Sequence, residues 1–252
     1  MRNIWRLCPA TGPPKKARSP LLRSAIAQNF CANIYRYFTV LTPTHHTEIV
    51  GGSGVSEQIA VLNFWTITDP VEVDKLLNRS NRGGKNSAQL VPGWAVAGVD
   101  PTTGKRWLQG VQFKPDSPPT DREGKPQKYL SASGRETQPL FLDTGDAGYW
   151  QRVLADPTIP IIITEGAKKS GCLLTLGYAA ISLPGVWNGQ KQGRLKPLIQ
   201  QICAVGRQVG MGFDADLMEK RGVRQALDKS GQMLTNAGCV VLVMLGQPVQ
   251  RH

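Results

Sequence analysis

The sequence predicts an α/β protein, with a mainly parallel four-stranded sheet and flanking helices preceded by a small α+β region. Three observations predict it. Between residues 157 and 245, four short apolar runs alternate with stretches of helical periodicity, as parallel strands joined by right-handed crossovers require. The first run, Ile159-Pro160-Ile161-Ile162-Ile163, is continuous and β-branched, which fits a strand buried on both faces. Gly177 and Gly238 each follow a helical stretch, where a left-handed residue closes a helix.

Taken in order, the chain divides by composition into residues 1–46, 47–150 and 151–252. The first region is a basic, poorly ordered extension, within which Ile26, Phe30, Ile34 and Phe38 recur every four residues and form one apolar helix face. In the second, Gly51-Gly52-Ser53-Gly54 is followed by no Gly-Lys-Ser/Thr, so a Walker phosphate loop is not supported. Ser56 fits the N-cap of a helix through residue 62, and Pro70 opens another through residue 77. Runs at 94–99 and 107–113 flank Pro101-Thr102-Thr103-Gly104 and read as a β-hairpin. Residues 114–124 read as a loop. Lys125, Lys128 and Tyr129 then form a basic-aromatic cluster. In the third region, strands are expected at 159–163, 179–183, 208–213 and 239–245, with helices at 167–176, 195–203 and 223–237 between them.

Charge and cysteine content narrow the function classes. The formal charge is +12, and residues 1–47 hold seven Arg or Lys and no acid, which suits a polyanion such as nucleic acid, or an organellar transit segment. The five cysteines are widely spaced with no Cys-x-x-Cys, and only His45 and His46 are adjacent. A zinc site or disulfide framework is therefore not expected, and a reducing cytoplasm fits. No apolar run approaches the roughly 18 residues of a membrane span, so no membrane partner is expected.

Chemistry in a parallel sheet gathers at the carboxyl ends of its strands. Thr164-Glu165-Gly166 follows the first strand of the third region, and Phe213-Asp214-Ala215-Asp216 follows the third. Asp214 and Asp216 are two residues apart and share a side in extended chain. If the two strands are neighbours, Glu165 approaches from about 5 Å. Three carboxylates so close call for a cation, and an all-oxygen set favours Mg²⁺ or Mn²⁺. Glu219 is near enough in sequence to assist, or to begin the next helix. Lys168 and Lys169 fall in the first helical turn after Gly166, where a cation is unfavourable for the helix and points to a phosphate. The opposing reading is a capped helix, a turn and solvated lysines. Trp94, Trp107 and Tyr129 are candidates for base stacking, with packing the plainer alternative.

Thr164-Glu165-Gly166 and Asp214-Ala215-Asp216 resemble the TOPRIM domain of bacterial primases, topoisomerases and some nucleases. Over residues 46–244 the motifs Thr164-Glu165-Gly166-Ala167-Lys168-Lys169, Leu183-Pro184-Gly185-Val186 and Gly212-Phe213-Asp214-Ala215-Asp216 resemble a TOPRIM-like domain of cyanobacterial plasmid replication proteins. The resemblance implies Glu165 as acid or base and Asp214 and Asp216 as metal ligands. Gly124-Lys125-Pro126-Gln127-Lys128-Tyr129-Leu130 resembles the basic stretch before that domain in primases, which implies that Lys125 and Lys128 steer phosphates. The implied function is primase-like, Mg²⁺-dependent nucleotidyl transfer in plasmid-type replication, with single-stranded DNA and nucleotides as partners. A metal-dependent nuclease and a non-catalytic DNA-binding remnant of an initiator are the alternatives. Proteins of this kind are longer and carry a helicase-like part, so either truncation or a separate helicase is expected. The zinc module of many primases is missing from the sequence.

Overall fold

The computed structural model describes residues 41–79, 87–213 and 221–244. All of these lie in the unit Thr39–His252. The stripe Ile26 to Phe38 and the basic segment around it lie outside the described residues.

Helix α1 (Pro43–His46) is capped by the Thr42 side chain and runs on into a π-helical turn, Thr47–Gly51. His45 fastens this start to two distant segments of the chain: its Nδ1 lies 2.7 Å from Thr66 Oγ1 and its Nε2 2.9 Å from Asp116 Oδ1. The Ser56 hydroxyl accepts the Ile59 amide and caps α2 (Glu57–Asn63), as its position predicts. Strand β1 (Phe64–Ile67) continues from it without a break. Asp69 caps α3 (Pro70–Leu76), whose proline occupies the first turn.

The predicted hairpin is present as β2 (Gly93–Val99) and β3 (Arg106–Pro115). It extends further than expected, because Lys114 pairs with Trp94 and Pro115 with Gly93, so the loop begins two residues later than the composition of 114–124 indicates. With β1 and the two-residue β4 (Leu130–Ser131), the hairpin forms an antiparallel sheet in the order β1-β2-β3-β4. Both faces of this sheet are covered. Trp94 and Val96 join one core cluster with Phe64, while Ala95 and Ala97 join another with Trp65, Ile67 and Val73 of α3, as the two-residue period of a strand requires.

The second sheet carries the α/β pattern. Helix α4 (Tyr149–Ala155) leads into β5 (Ile161–Glu165), α5 (Ala167–Thr175), β6 (Ala179–Leu183), the small hairpin β7 (Gln190–Lys191) and β8 (Arg194–Leu195), then α6 (Pro197–Ile202), β9 (Gln208–Gly212), α7 (Arg221–Asn236) and β10 (Val240–Val243). The strand order is β10-β9-β5-β6, and every pairing is parallel. The expected mainly parallel four-stranded sheet is therefore present. Helix α6 starts at Pro197 rather than at 195, because Leu195 is spent on pairing with Gln190. Among the described residues no helix is long and apolar enough to cross a membrane.

Residues 140–142 stitch the sheets together. Leu140 exchanges two backbone hydrogen bonds with Ser182 on β6, at 2.8 and 3.1 Å, and the Val99 amide at the end of β2 donates to Phe141 O at 2.8 Å. Gly98 permits this approach, since a Cβ there would meet Phe141 O at 2.1 Å. A second fastening is the fully buried Arg207, whose guanidinium donates to Val153, Leu154 and Ile159 carbonyls at 2.9–3.0 Å. It satisfies the carbonyls left open at the end of α4. Arg207→Met should lower the unfolding free energy by about 3 kcal/mol or more, read as a shifted urea midpoint with an unchanged slope.

Candidate functional site

Strand β5 is an inner strand, with β6 on one side and β9 on the other. Its last residue, Glu165, pairs with Leu183, and Thr164 pairs with Gly212. Glu165 and Phe213 each come one residue after that second pair in sequence, and Phe213 is the residue before Asp214. The neighbouring-strand condition behind the sequence argument is therefore met. Asp214 and Asp216, with Glu219, lie outside the described residues.

Gly166 turns the chain from β5 into α5. Its φ of +88° lies where side-chain-bearing residues are strained, its amide donates to Leu183 O at 3.2 Å, and among the described residues no atom beyond its chain neighbours lies within 4 Å of where a Cβ would stand. Lys168 and Lys169 then fall in the first turn of α5, Lys168 half-buried and Lys169 exposed.

Lys168 has a partner that sequence reasoning missed. Its Nζ donates to Glu48 Oε1 at 2.9 Å, while Glu48 Oε2 accepts from Lys114 Nζ at 3.2 Å and from the Trp94 indole at 3.2 Å. One carboxylate from the π-helical turn thus collects a lysine from β3, a lysine from α5 and a buried indole N–H. Burial pushes the Glu48 carboxyl up, but the hydrogen bonds and charge of Lys168, helped by Trp94 and Lys114, outweigh it and hold the group below its ordinary value. Tyr129 packs edge-on against Trp94, with centroids 5.8 Å apart. Its phenol is pushed up to about 12, chiefly by burial and secondly by the Glu48 charge. The only sequence signal for Glu48 was its position: it is the first acid in the chain, directly after the acid-free segment.

The other candidates are dispersed. Lys125 is engaged with Glu123 at 2.8 Å, in an exposed turn whose amides Asp121 holds. Lys128 is exposed and precedes Tyr129. Trp94 is fully buried and Trp107 half-buried against the core, so both are packing residues. Trp187 is an exposed aromatic that comes after the Pro184-Gly185-Val186 turn at the end of β6. It is 41% exposed, with Lys229 Nζ 5.6 Å from its ring centroid. The Leu-Pro-Gly turn marked this loop in the sequence, without marking its tryptophan.

Residues 149–251 match a family model described as a domain of unknown function, DUF3854. That span contains Glu165, Lys168, Lys169, Trp187, Asp214 and Asp216, while Glu48 and Lys114 precede it. The chain is also similar to an uncharacterized protein of the cyanobacterium Picosynechococcus sp., at 34% identity over 250 residues covering 81% of this chain and 25% of the relative. The chain thus spans about a quarter of the length of that relative. No solved structure matches it.

The Glu48 joint has a defined pH signature. A carboxyl held below its unfolded value stabilises the fold above the ordinary carboxylate range, and that contribution is lost as pH falls through the folded value. Glu48→Gln should therefore lower stability at neutral pH by about 1–2 kcal/mol. The difference from wild type should begin to shrink as pH falls into the ordinary glutamate range and vanish below the lowered folded-state value, measured by urea unfolding across pH.

Proposed function

We infer that the chain carries a TOPRIM-like, primase-type centre for Mg²⁺-dependent nucleotidyl transfer in plasmid-type DNA replication, working in the cytoplasm on single-stranded DNA and nucleotides. The single observation that carries the reading is the parallel β5–β9 pairing with Thr164 opposite Gly212. Glu165 and Phe213 each follow that pair by one residue, and the Asp214-Ala215-Asp216 motif comes next in sequence.

The donor set fits a hard cation. Glu165, Asp214 and Asp216 offer only carboxylate oxygens, which suit Mg²⁺ or Mn²⁺. Asp214 and Asp216 would hold the metal, with Glu165 taking the proton from an attacking hydroxyl or sharing in ligation. The bound ion supplies neutralisation of the phosphate charge that grows during in-line displacement. Lys168 and Lys169 neutralise the incoming phosphates at the start of α5. Lys125 and Lys128, on the exposed turn of the 47–150 region, track the backbone of the strand. Trp187 offers its ring to an unpaired base. Strand opening by a separate helicase completes the scheme.

The test is ribonucleotide incorporation on single-stranded DNA with Mg²⁺ or Mn²⁺, comparing wild type with Asp214→Asn/Asp216→Asn. Incorporation should fall roughly a hundredfold or more in the variant, since metal-borne charge stabilisation is worth several kcal/mol. Shortened strands without incorporation would replace synthesis by hydrolysis at the same carboxylates. No reaction, with equal DNA binding by both proteins, would overturn the catalytic reading. Trp187→Ala should weaken binding to single-stranded DNA by roughly tenfold, the worth of one stacked base, in a fluorescence anisotropy titration.

A further inference from the structure

Glu48 is an unusual partner for Lys168. The two are 120 positions apart, and the side chains of Glu48, Lys168 and Lys114 are 29%, 25% and 24% exposed, so the joint is neither a core ion pair nor a surface contact. It is charge-imbalanced, with two lysines sharing one carboxylate. Its donors converge as they would on a phosphate: three N–H groups at 2.9–3.2 Å on two oxygens of one anion. The local backbone is shaped to bring the carboxylate in. A Cβ on Gly171 of α5 would lie 3.1 Å from the Val55 side chain, and one on Gly54 would lie 3.3 Å from Cys172 Sγ of α5. Gly54 and Gly171 therefore let the segment that follows the Glu48 turn sit close against the helix bearing Lys168.

We propose that Glu48 is an exchangeable internal counter-ion standing where a phosphate group binds, and that Lys114, Lys168 and the Trp94 indole N–H form that phosphate site. In the free protein the carboxylate holds both lysines in place and keeps them from collapsing onto other acids. A phosphate arriving with greater charge and more acceptor oxygens takes over the lysine contacts, and Glu48 swings out on its turn toward solvent. Tyr129, packed edge-on against Trp94, closes the aromatic side of the site. This rests on the phosphate-handling part of the proposed function and deepens it, without depending on the metal or on catalysis.

The probes are inorganic triphosphate, monitored by calorimetry, and an oligothymidylate, monitored by anisotropy, both in EDTA at one fixed ionic strength. Glu48→Gln removes the competing charge and leaves the lysines, so affinity for at least one probe should rise roughly three- to tenfold. Lys114→Gln should weaken the same probe by a similar factor. A gain for triphosphate alone identifies a nucleotide as the phosphate source, and a gain for both includes the strand backbone. Binding by Glu48→Gln that is unchanged or weaker for both probes, or binding by Lys114→Gln that equals wild type, overturns the proposal and leaves a structural joint. Should Glu48→Gln lack a cooperative unfolding transition, Glu48→Asp decides in its place: its shorter reach must also tighten phosphate binding, and failure to do so overturns the proposal. Because no metal is present, a negative result here leaves the incorporation assay untouched, and absent incorporation leaves this result standing.

Discussion

The position of β5 inside its sheet is the constraint on which the site depends. A strand with parallel neighbours on both sides has its register set twice, by Ile161–Glu165 against Ala179–Leu183 and by Ile161–Thr164 against Val209–Gly212. A slip of one residue would have to break both parallel ladders at once. The carboxyl end of β5 is thus held to the precision of a packed core. Glu165 inherits that precision, and so do the Gly166 turn and the first turn of α5, since no loop intervenes between them and the strand.

The antiparallel sheet contributes differently. It reaches the strand ends through three fastenings of distinct chemistry: the backbone ladder at Leu140, the buried Trp94, and the Glu48 carboxylate between Lys114 and Lys168. The ladder is insensitive to charge, and Trp94 meets the Glu48 carboxylate through its indole N–H. The third depends on solution conditions, because a half-buried ion pair is a small balance between desolvation and attraction that an arriving anion can tip. A rigid frame with one exchangeable electrostatic contact at its functional edge suits a phosphate-responsive site, and it locates that response at Glu48 rather than in the sheet.

Much of this frame was legible in the sequence. The strands of the parallel sheet announced themselves as apolar runs, and the caps Ser56 and Gly177 marked helix ends because their side-chain or backbone chemistry is local. Strands β1 and β4 were missed: Phe64–Ile67 succeeds a helix without a turn signal, and Leu130–Ser131 is too short to show a period. The hairpin β7–β8 is polar and closes through Gln192 and Gly193, both at positive φ, so no hydrophobic pattern exposed it. In the site, Glu165, Lys168 and Lys169 were found because they lie beside one strand. Glu48 and Lys114 were not, because their meeting is made 66 residues apart, between the π-helical turn and β3, which no local motif encodes. The burial of Trp94 agrees with the packing alternative rather than base stacking, while Trp187 went unnoticed in a loop read only for its Pro-Gly turn.

The central claim is that the ends of β5 and β9 converge on a cation. Mn²⁺ binding, monitored by loss of the free-ion electron paramagnetic resonance signal, tests it most directly in wild type, Glu165→Gln and Asp214→Asn/Asp216→Asn. The account predicts stoichiometric binding by wild type, weakened in the glutamine variant and abolished in the double variant. Binding equal in all three proteins, or none by a wild-type protein that still unfolds cooperatively, would contradict it.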